Sequence, residues 1–237
     1  MVVGDAHGQA RALAALLDHL GAERAVVLGD LIDRGPDSLG ALRLAAPHDV
    51  VPGNHELMML EAFDAGVLSR GRALEAWLRA GGDATLAQAA PGVRMSGAKR
   101  LAALRAALPP GLEARLRGPG HRRAGGVLMV HAGLDPAADP DAFLAQPGIG
   151  GRGPHWAWIR GAFLRHEGGW DRYGAGLVLH GHTPAATEML AHAAEAEAAL
   201  LRLAKGRVCL DAGAAVVPQV AAAEVVGGRL RLHVAQG

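Results

Sequence analysis

Over roughly the first 60 residues, short valine- and leucine-rich runs alternate with polar, glycine-bearing segments. Met1–Val3, Ala25–Leu28 and Asp49–Val51 have the length and content of buried strands. Each is followed by a polar segment: GDAHG at Gly4–Gly8, GDLIDRG at Gly29–Gly35 and GNHE at Gly53–Glu56. After each segment apolar positions return at helical spacing, which predicts helices over Gln9–Leu20, Pro36–Ala45 and from Leu57 onward. Pro36 can open its helix because the N–H it lacks would have no partner in the first turn. Strand, polar segment and helix repeated in this way indicate parallel βαβ units. The polar segments then share one rim, at the carboxyl ends of neighbouring strands.

The pattern changes beyond about residue 66. Arg70–Ala80, Asp83–Ala90 and Ala98–Leu108 have helical spacing and are separated by Gly-Gly and Pro-Gly breaks. They predict a mostly helical insert at about 66–120 within a single domain spanning 1–237. His121–Arg123, flanked by glycine, reads as a solvated loop. Strand character resumes at Val127–Val130 and at Leu177–Leu179, with a Gly/Pro-rich loop at Pro147–Pro154 and a helix around Trp156–Leu164 between them. Leu200–Leu203, Arg207–Leu210, Val216–Val225 and Arg229–Val234 predict a hairpin or meander forming a second sheet. Ala191–Ala199 fits a loop or a short helix equally well. The fold class is therefore α/β: a two-sheet sandwich with a βαβαβ first half and flanking helices.

Composition narrows the function. The 237 residues are 50% apolar and carry a formal charge of +1, with both signs interspersed. Such a chain builds a core. It shows no basic stripe of the kind nucleic-acid binding requires. Cys209 is the only cysteine, so neither an internal disulfide nor a thiolate zinc knuckle can form. No apolar run reaches the roughly 20 residues of a membrane span. No secretory pattern opens the chain, so the expected location is cytoplasmic. The brevity of Met1–Val3 points to a few residues trimmed upstream. Oligomeric state leaves no mark on the sequence.

The chemistry lies at the strand ends. Asp5, His7, Asp30, Asn54, His131 and His182 each stand just after a short apolar run and near glycine. Singly, such a residue is a turn former or a helix cap. Together they form an oxygen/nitrogen donor set suited to Mn²⁺, Fe²⁺, Co²⁺, Zn²⁺, Ni²⁺ or Mg²⁺. Six donors exceed one tetrahedral site and fit two ions sharing a carboxylate, an arrangement that clamps the attacking and leaving oxygens of an in-line displacement. Aspartates brought this close also need cations between them. Arg34 and Arg160 are candidate phosphate ligands, because a guanidinium matches phosphate oxygens in a rigid fork; Arg160 could equally lie over a neighbouring tryptophan. His55 with Asp33 is a natural acid pair.

These motifs, with HAG at His131–Gly133 and GHTP at Gly181–Pro184, occur in the order seen in calcineurin-like metallophosphoesterases. The DRG and GNHE forms, WLRAGG at Trp77–Gly82 and Asp211–Gly213 resemble the phosphoprotein phosphatase group, and within it the small bacterial and phage serine/threonine phosphatases. The resemblance implies that Asp5 and His7 bind the first metal, that Asp30 bridges, and that Asn54, His131 and His182 complete the second, with Mn²⁺ the expected ion. It implies phosphate binding by Arg34, Asn54 and Arg160, and protonation of the leaving alkoxide by His55 with Asp33. A metal-bridging hydroxide would attack phosphorus directly. The implied substrates are phosphoserine, phosphothreonine and, in an open site, phosphotyrosine in proteins. His180 is implied to be secondary to His182, and Glu56 to anchor its loop.

Diadenosine tetraphosphate hydrolases, or another small-molecule phosphoesterase, are the alternative. The former typically lack the acidic residues found here at Asp33 and Glu56. A binding-only phosphoprotein module would need a broken constellation, and every expected donor is present.

Overall fold

A computed structural model describes residues 1–21, 23–66, 70–91, 96–150, 153–184 and 206–237. Its strands are β1 (Val2–Val3), β2 (Val26–Val27), β3 (Asp49–Val50), β4 (His121–Ala124), β5 (Val127–Val130), β6 (Leu177–His180), β7 (Arg207–Cys209), β8 (Gln219–Val226) and β9 (Arg229–Gln236). One sheet has the order β3-β2-β1-β8-β9 and the other β4-β5-β6-β7. Within the first, β1, β2 and β3 are parallel, with Val2 opposite Val26 and Val26 opposite Asp49. Within the second, β5, β6 and β7 are parallel and β4 is antiparallel.

Strand alternation builds both layers of the core. Val2, Leu28, Val51, Met129, Leu179, Val208, Leu210 and Ala223 form one apolar cluster. Their chain neighbours Val3, Val27, Val50, Leu128 and Val178 belong to another, which contains the helical leucines. Successive side chains on a strand point to opposite faces, so each short strand feeds both clusters.

The helices are α1 (Ala10–Leu20), α2 (Ser38–Ala45), α3 (Asn54–Asp64), α4 (Arg70–Trp77), α5 (Asp83–Ala89), α6 (Gly97–Ala107), α7 (Leu112–Leu116), α8 (Pro140–Leu144) and α9 (Gly161–Arg165). The segment Leu78–Gly82 joins α4 to α5 through a kink at Gly81. Helix α1 ends on Gly21 at φ 54, whose N–H returns to the Leu17 and Asp18 carbonyls, a left-handed cap that glycine adopts without strain. No helix among the described residues is long and apolar enough to cross a membrane.

Several elements differ from the sequence expectation. Among the described residues only β7 of the tail joins the second sheet, beside β6; the β8–β9 hairpin instead pairs antiparallel with β1 through β8 and extends the first. Val220, Ala221, Ala222 and Ala223 are all buried, as a strand covered on both faces requires. His121–Arg123 is not a loop but part of edge strand β4, where its polar side chains suit an edge. Over Trp156–Leu164 only Gly161–Arg165 is helical. Upstream, Ala157 N–H donates to His155 Nδ1 and the Trp156 carbonyl accepts from Ala132, so helical partners are pre-empted. Val216 and Val217 donate to the Gly213 carbonyl in a turn and precede the strand. Leu200–Leu203 and Ala191–Ala199 lie outside the described residues.

Candidate metal centre

The rim is made by abrupt turns at the strand ends. Among the described residues, the non-glycine residues at positive φ are His7 (39°), Asp30 (47°), Asp33 (75°), Arg34 (70°) and His182 (68°). Every one is a candidate site residue. That conformation is costly for a side-chain-bearing residue and persists where surrounding contacts enforce it. Two glycines allow the loops to close. A Cβ on Gly53 would lie 2.1 Å from Asp30 Oδ1, and one on Gly181 would lie 1.9 Å from Asp5 Oδ1.

Helix α3 begins at Asn54, not Leu57, so Asn54, His55 and Glu56 form its first turn. Gly53 caps it in an extended conformation. Glu56, fully buried, accepts N–H groups from Asp30 at 2.8 Å, Leu31 at 2.8 Å and Gly53 at 2.9 Å. It is a clasp between two motifs and makes no part of either metal triad. Burial and the nearby Asp30 charge push its carboxyl up, while these N–H bonds oppose the shift.

Two groups of side chains converge closely enough to hold a metal ion: His7, Asp30 and His55, and Asp30, His131 and His182. Asp30 belongs to both. Its Oδ2 lies 3.6 Å from His7 Nε2 and its Oδ1 lies 3.4 Å from His131 Nε2. Asn54 Oδ1 stands 3.1 Å from the same His131 nitrogen. Asp5 lies outside both triads and accepts the His182 N–H at 3.0 Å. Ring contacts pair His7 with His55, centroids 4.8 Å apart, and His131 with His182 at 5.1 Å.

Hydrogen bonding tests whether these donors suit cations. His7 Nδ1 lies 2.9 Å from the Ile32 carbonyl, and His131 Nδ1 lies 2.6 Å from the Leu28 carbonyl. A carbonyl can only accept, so each Nδ1 carries its proton and each Nε2 is turned to the rim. His131 Nε2 then faces only acceptors, Asn54 Oδ1 and Asp30 Oδ1, and a proton or a cation must lie between them. Burial disfavours the imidazolium, but Asp30 and Asp5 outweigh it and lift His131 to about 10. A bound cation takes the place of that proton.

Burial lowers His7 to about 4 and, joined by the charge of His131, lowers His182 to about 3. Their lone pairs are met by arginine: Arg34 NH1 lies 3.2 Å from His7 Nε2, and Arg160 Nε donates to His182 Nε2 at 2.9 Å. Burial and the Asp211 charge raise Asp5 well above the ordinary carboxylate range. Crowded carboxylates and rim-facing imidazole nitrogens are a donor set that divalent cations satisfy.

Beside this set, Asp33 Oδ2 lies 2.6 Å from His55 Nδ1. Burial opposes a charged His55, but Asp30 and then Asp33 raise its affinity for a proton. Arg34 NH2 lies 3.0 Å from His55 Nε2, so this one guanidinium reaches both His7 and His55. His180 is buried against Phe163, ring centroids 4.8 Å apart, with Nδ1 3.1 Å from the Gly181 carbonyl, and joins neither triad. Burial lowers it to about 4.

Sequence reasoning assigned no role to three residues beside these. Trp77 and Thr85 donate to Asp33, and buried Asp211 lies close enough for its charge to act on Asp5. Asp211 did carry a signal: like Asp5 and Asp30 it follows an apolar run and precedes glycine.

Known proteins share this architecture. A serine/threonine-protein phosphatase 2 of Escherichia coli K12 is 42% identical over 88 residues, 35% of this chain and 38% of the relative. A serine/threonine-protein phosphatase 1 of Salmonella typhimurium is 43% identical over 91 residues, with the same two shares. The chain thus spans well under half the length of these curated relatives. A solved structure provisionally assigned as a diadenosine tetraphosphatase aligns over 100% of this chain and 93% of its own, with TM-score 0.52 and 22% identity. A cold-active protein-tyrosine phosphatase of a psychrophilic Shewanella aligns over 99% and 79%, with TM-score 0.53 and 15% identity, a likeness of fold. The family model of the calcineurin-like phosphoesterases matches residues 1–186. With the two triads on that fold supporting metal-dependent phosphoester hydrolysis, the chain belongs to the calcineurin-like phosphoesterase family.

Proposed function

We propose that the chain hydrolyses phosphoesters at a dinuclear centre held by Asp5, His7, Asp30, Asn54, His131 and His182, with Asp30 shared between two ions. The observation that carries this reading is the membership of Asp30 in both triads, with a histidine Nε2 facing each of its oxygens; His55, the third member of the first triad, is held by Asp33 and takes the acid role instead. Two divalent cations, Mn²⁺ in first place, supply Lewis acidity toward phosphoryl oxygens and water acidic enough to serve as nucleophile near neutral pH.

The remaining roles fall to the protein. Arg34 and Arg160 exchange their imidazole contacts for phosphate oxygens and offset the charge that grows there. Asn54 Oδ1 faces the metal side, leaving its amide N–H groups for the phosphate. His55, oriented through Nδ1 by Asp33, gives the Nε2 proton to the leaving oxygen.

Two substrate classes draw on different observations. The Asp33–His55 pair suits an alkoxide leaving group, which departs slowly without a proton. The partial identity with serine/threonine phosphatases supports the same class, phosphoserine and phosphothreonine in proteins. The second class is diadenosine tetraphosphate or another small phosphoester. It is supported by the name of the neighbour whose alignment covers 100% of this chain. By coverage, the comparisons lean to this second class.

The experiment gives chelator-stripped, Mn²⁺-resupplied protein a phosphoserine peptide, an aryl phosphomonoester and diadenosine tetraphosphate in parallel. Preference for the peptide and aryl ester selects the first class, and preference for the dinucleotide the second. Inactivity on all three with two metals bound contradicts the phosphoesterase proposal for these ester classes.

A further inference from the structure

The acid pair depends on a segment far away in sequence. Asp33 is fully buried, and so are Trp77, Thr85 and Ser38 around it. Trp77 Nε1 donates to Asp33 Oδ2 at 2.7 Å, the same oxygen that meets His55 Nδ1 at 2.6 Å. The other oxygen, Oδ1, accepts from Thr85 Oγ1 at 2.6 Å. The Asp33 N–H is directed to Thr85 Oγ1 at 2.9 Å and Ser38 Oγ at 3.0 Å. Both carboxylate oxygens and the backbone N–H are thereby pinned, and the side chain cannot rotate without breaking a buried hydrogen bond.

The segment is shaped to reach Asp33. Trp77 ends α4, and Thr85 lies in the first turn of α5. Between them the chain kinks at Gly81, whose φ of 109° is not helical. A Cβ on Gly82 would sit 2.5 Å from the Trp77 ring, so the indole lies flat against that glycine. The same segment grips the next residue of the motif: Arg34 N–H donates to the Gly81 carbonyl, and Arg34 Nε donates to that of Ala80.

We propose that Trp77 and Thr85 are positioning residues for leaving-group protonation. By fixing the plane of the Asp33 carboxylate they fix the direction of the His55 Nδ1–H bond, and with it the aim of Nε2 into the rim. This rests on the reading of His55 as the group that protonates the leaving oxygen. Indole and hydroxyl are neutral donors, so they orient Asp33 without neutralising the negative charge that His55 needs beside it. A cationic partner in their place would compete with His55 for the carboxylate.

The test compares two substrates on metal-loaded protein: a phosphoserine peptide, whose alkoxide must be protonated, and 4-nitrophenyl phosphate, whose leaving group departs unaided. The variants are Thr85→Val, Thr85→Ser and Trp77→Phe, with His55→Asn as reference. Thr85→Val and Trp77→Phe are expected to lower kcat for the peptide about tenfold more than for the aryl ester, a fraction of the full general-acid effect. KM stays the same, and Thr85→Ser restores the ratio. In the diamagnetic Zn²⁺-loaded protein, the far-downfield proton NMR signal of His55 Nδ1–H should shift or broaden in Thr85→Val and return in Thr85→Ser.

An equal loss on both substrates with an unmoved His55 signal would mean that the two residues only support the fold, and would overturn the inference. A changed ratio in His55→Asn with none in Thr85→Val or Trp77→Phe overturns it alone. An unchanged ratio in His55→Asn removes the acid role itself.

Discussion

Two charge clusters in this chain obey opposite rules. On the helical side, Arg117 bonds Asp64 at 2.6 Å and Glu113 at 2.8 Å, and Arg105 bonds Glu113 at 2.5 Å. Each acid meets a base, so Asp64 and Glu113 are held below their ordinary values by their arginine hydrogen bonds, and Arg105 and Arg117 are held above theirs. At the rim, carboxylates crowd carboxylates and imidazole nitrogens face acceptors. Burial and like charge raise Asp5, while burial strips protons from His7 and His182. The first cluster pairs every charge with its opposite, whereas the second gathers two groups of donors that could each hold a cation. Both are dense in ionisable side chains, the first largely exposed and the second buried, so the presence of such side chains does not mark a site. Burial and like charge that push proton affinities away from their ordinary values do.

The contrast can be broken by substitution, beginning where the largest effect is expected. Asp30→Asn should release metal from both triads and bring hydrolysis to background, read by metal analysis and phosphate release. His55→Asn should slow turnover of an alkyl phosphomonoester by about 10²–10⁴-fold with metal content unchanged. In the parent protein the hydrogen bond to Asp33 favours the protonated His55, so activity should fall as pH rises and that proton is lost. Arg160→Ala should raise KM by about tenfold, the loss of one charge-assisted hydrogen bond, with a smaller effect on kcat.

Arg117→Ala should leave activity intact and cost about 1 kcal/mol of stability or less, since its contacts are solvent-screened. That difference has a definite pH dependence. Asp64 and Glu113 bind protons less readily when folded, so their contribution is present above the unfolded carboxylate value near about 4. It is lost as pH falls through the lower folded values, and denaturation of parent and variant should converge in acid. A variant that instead diverged in acid would contradict the assignment of those pairs.

The sequence revealed the parts of the fold governed by local rules. Valine-rich runs followed by Gly-Asp or Gly-Asn marked β1, β2 and β3 with their rim, because strand length and turn chemistry are both local. Where β8 would pair was not legible. Its alanines fit either sheet, and the choice falls on β1 through contacts remote in sequence. The start of α3 was hidden because Asn54 and His55 read as loop residues; the clasp of Glu56 on Asp30, Leu31 and Gly53 draws them into the helix.

The site shows the same division. Each proposed metal donor could be named from its place after a strand. Trp77 and Thr85 could not, since nothing local ties them to Asp33. WLRAGG marked Trp77 only as part of a motif, and a buried indole needs an acceptor for its N–H, but neither points to Asp33.

The central claim is that one carboxylate, Asp30, joins two cation sites. It is tested most directly by titrating chelator-stripped protein with Mn²⁺ and counting bound ions per chain by calorimetry and metal analysis, for the parent and for Asp30→Asn. The account predicts two ions in the parent and loss at both sites in the variant. Two ions retained by Asp30→Asn, or a single ion in the parent, would contradict it.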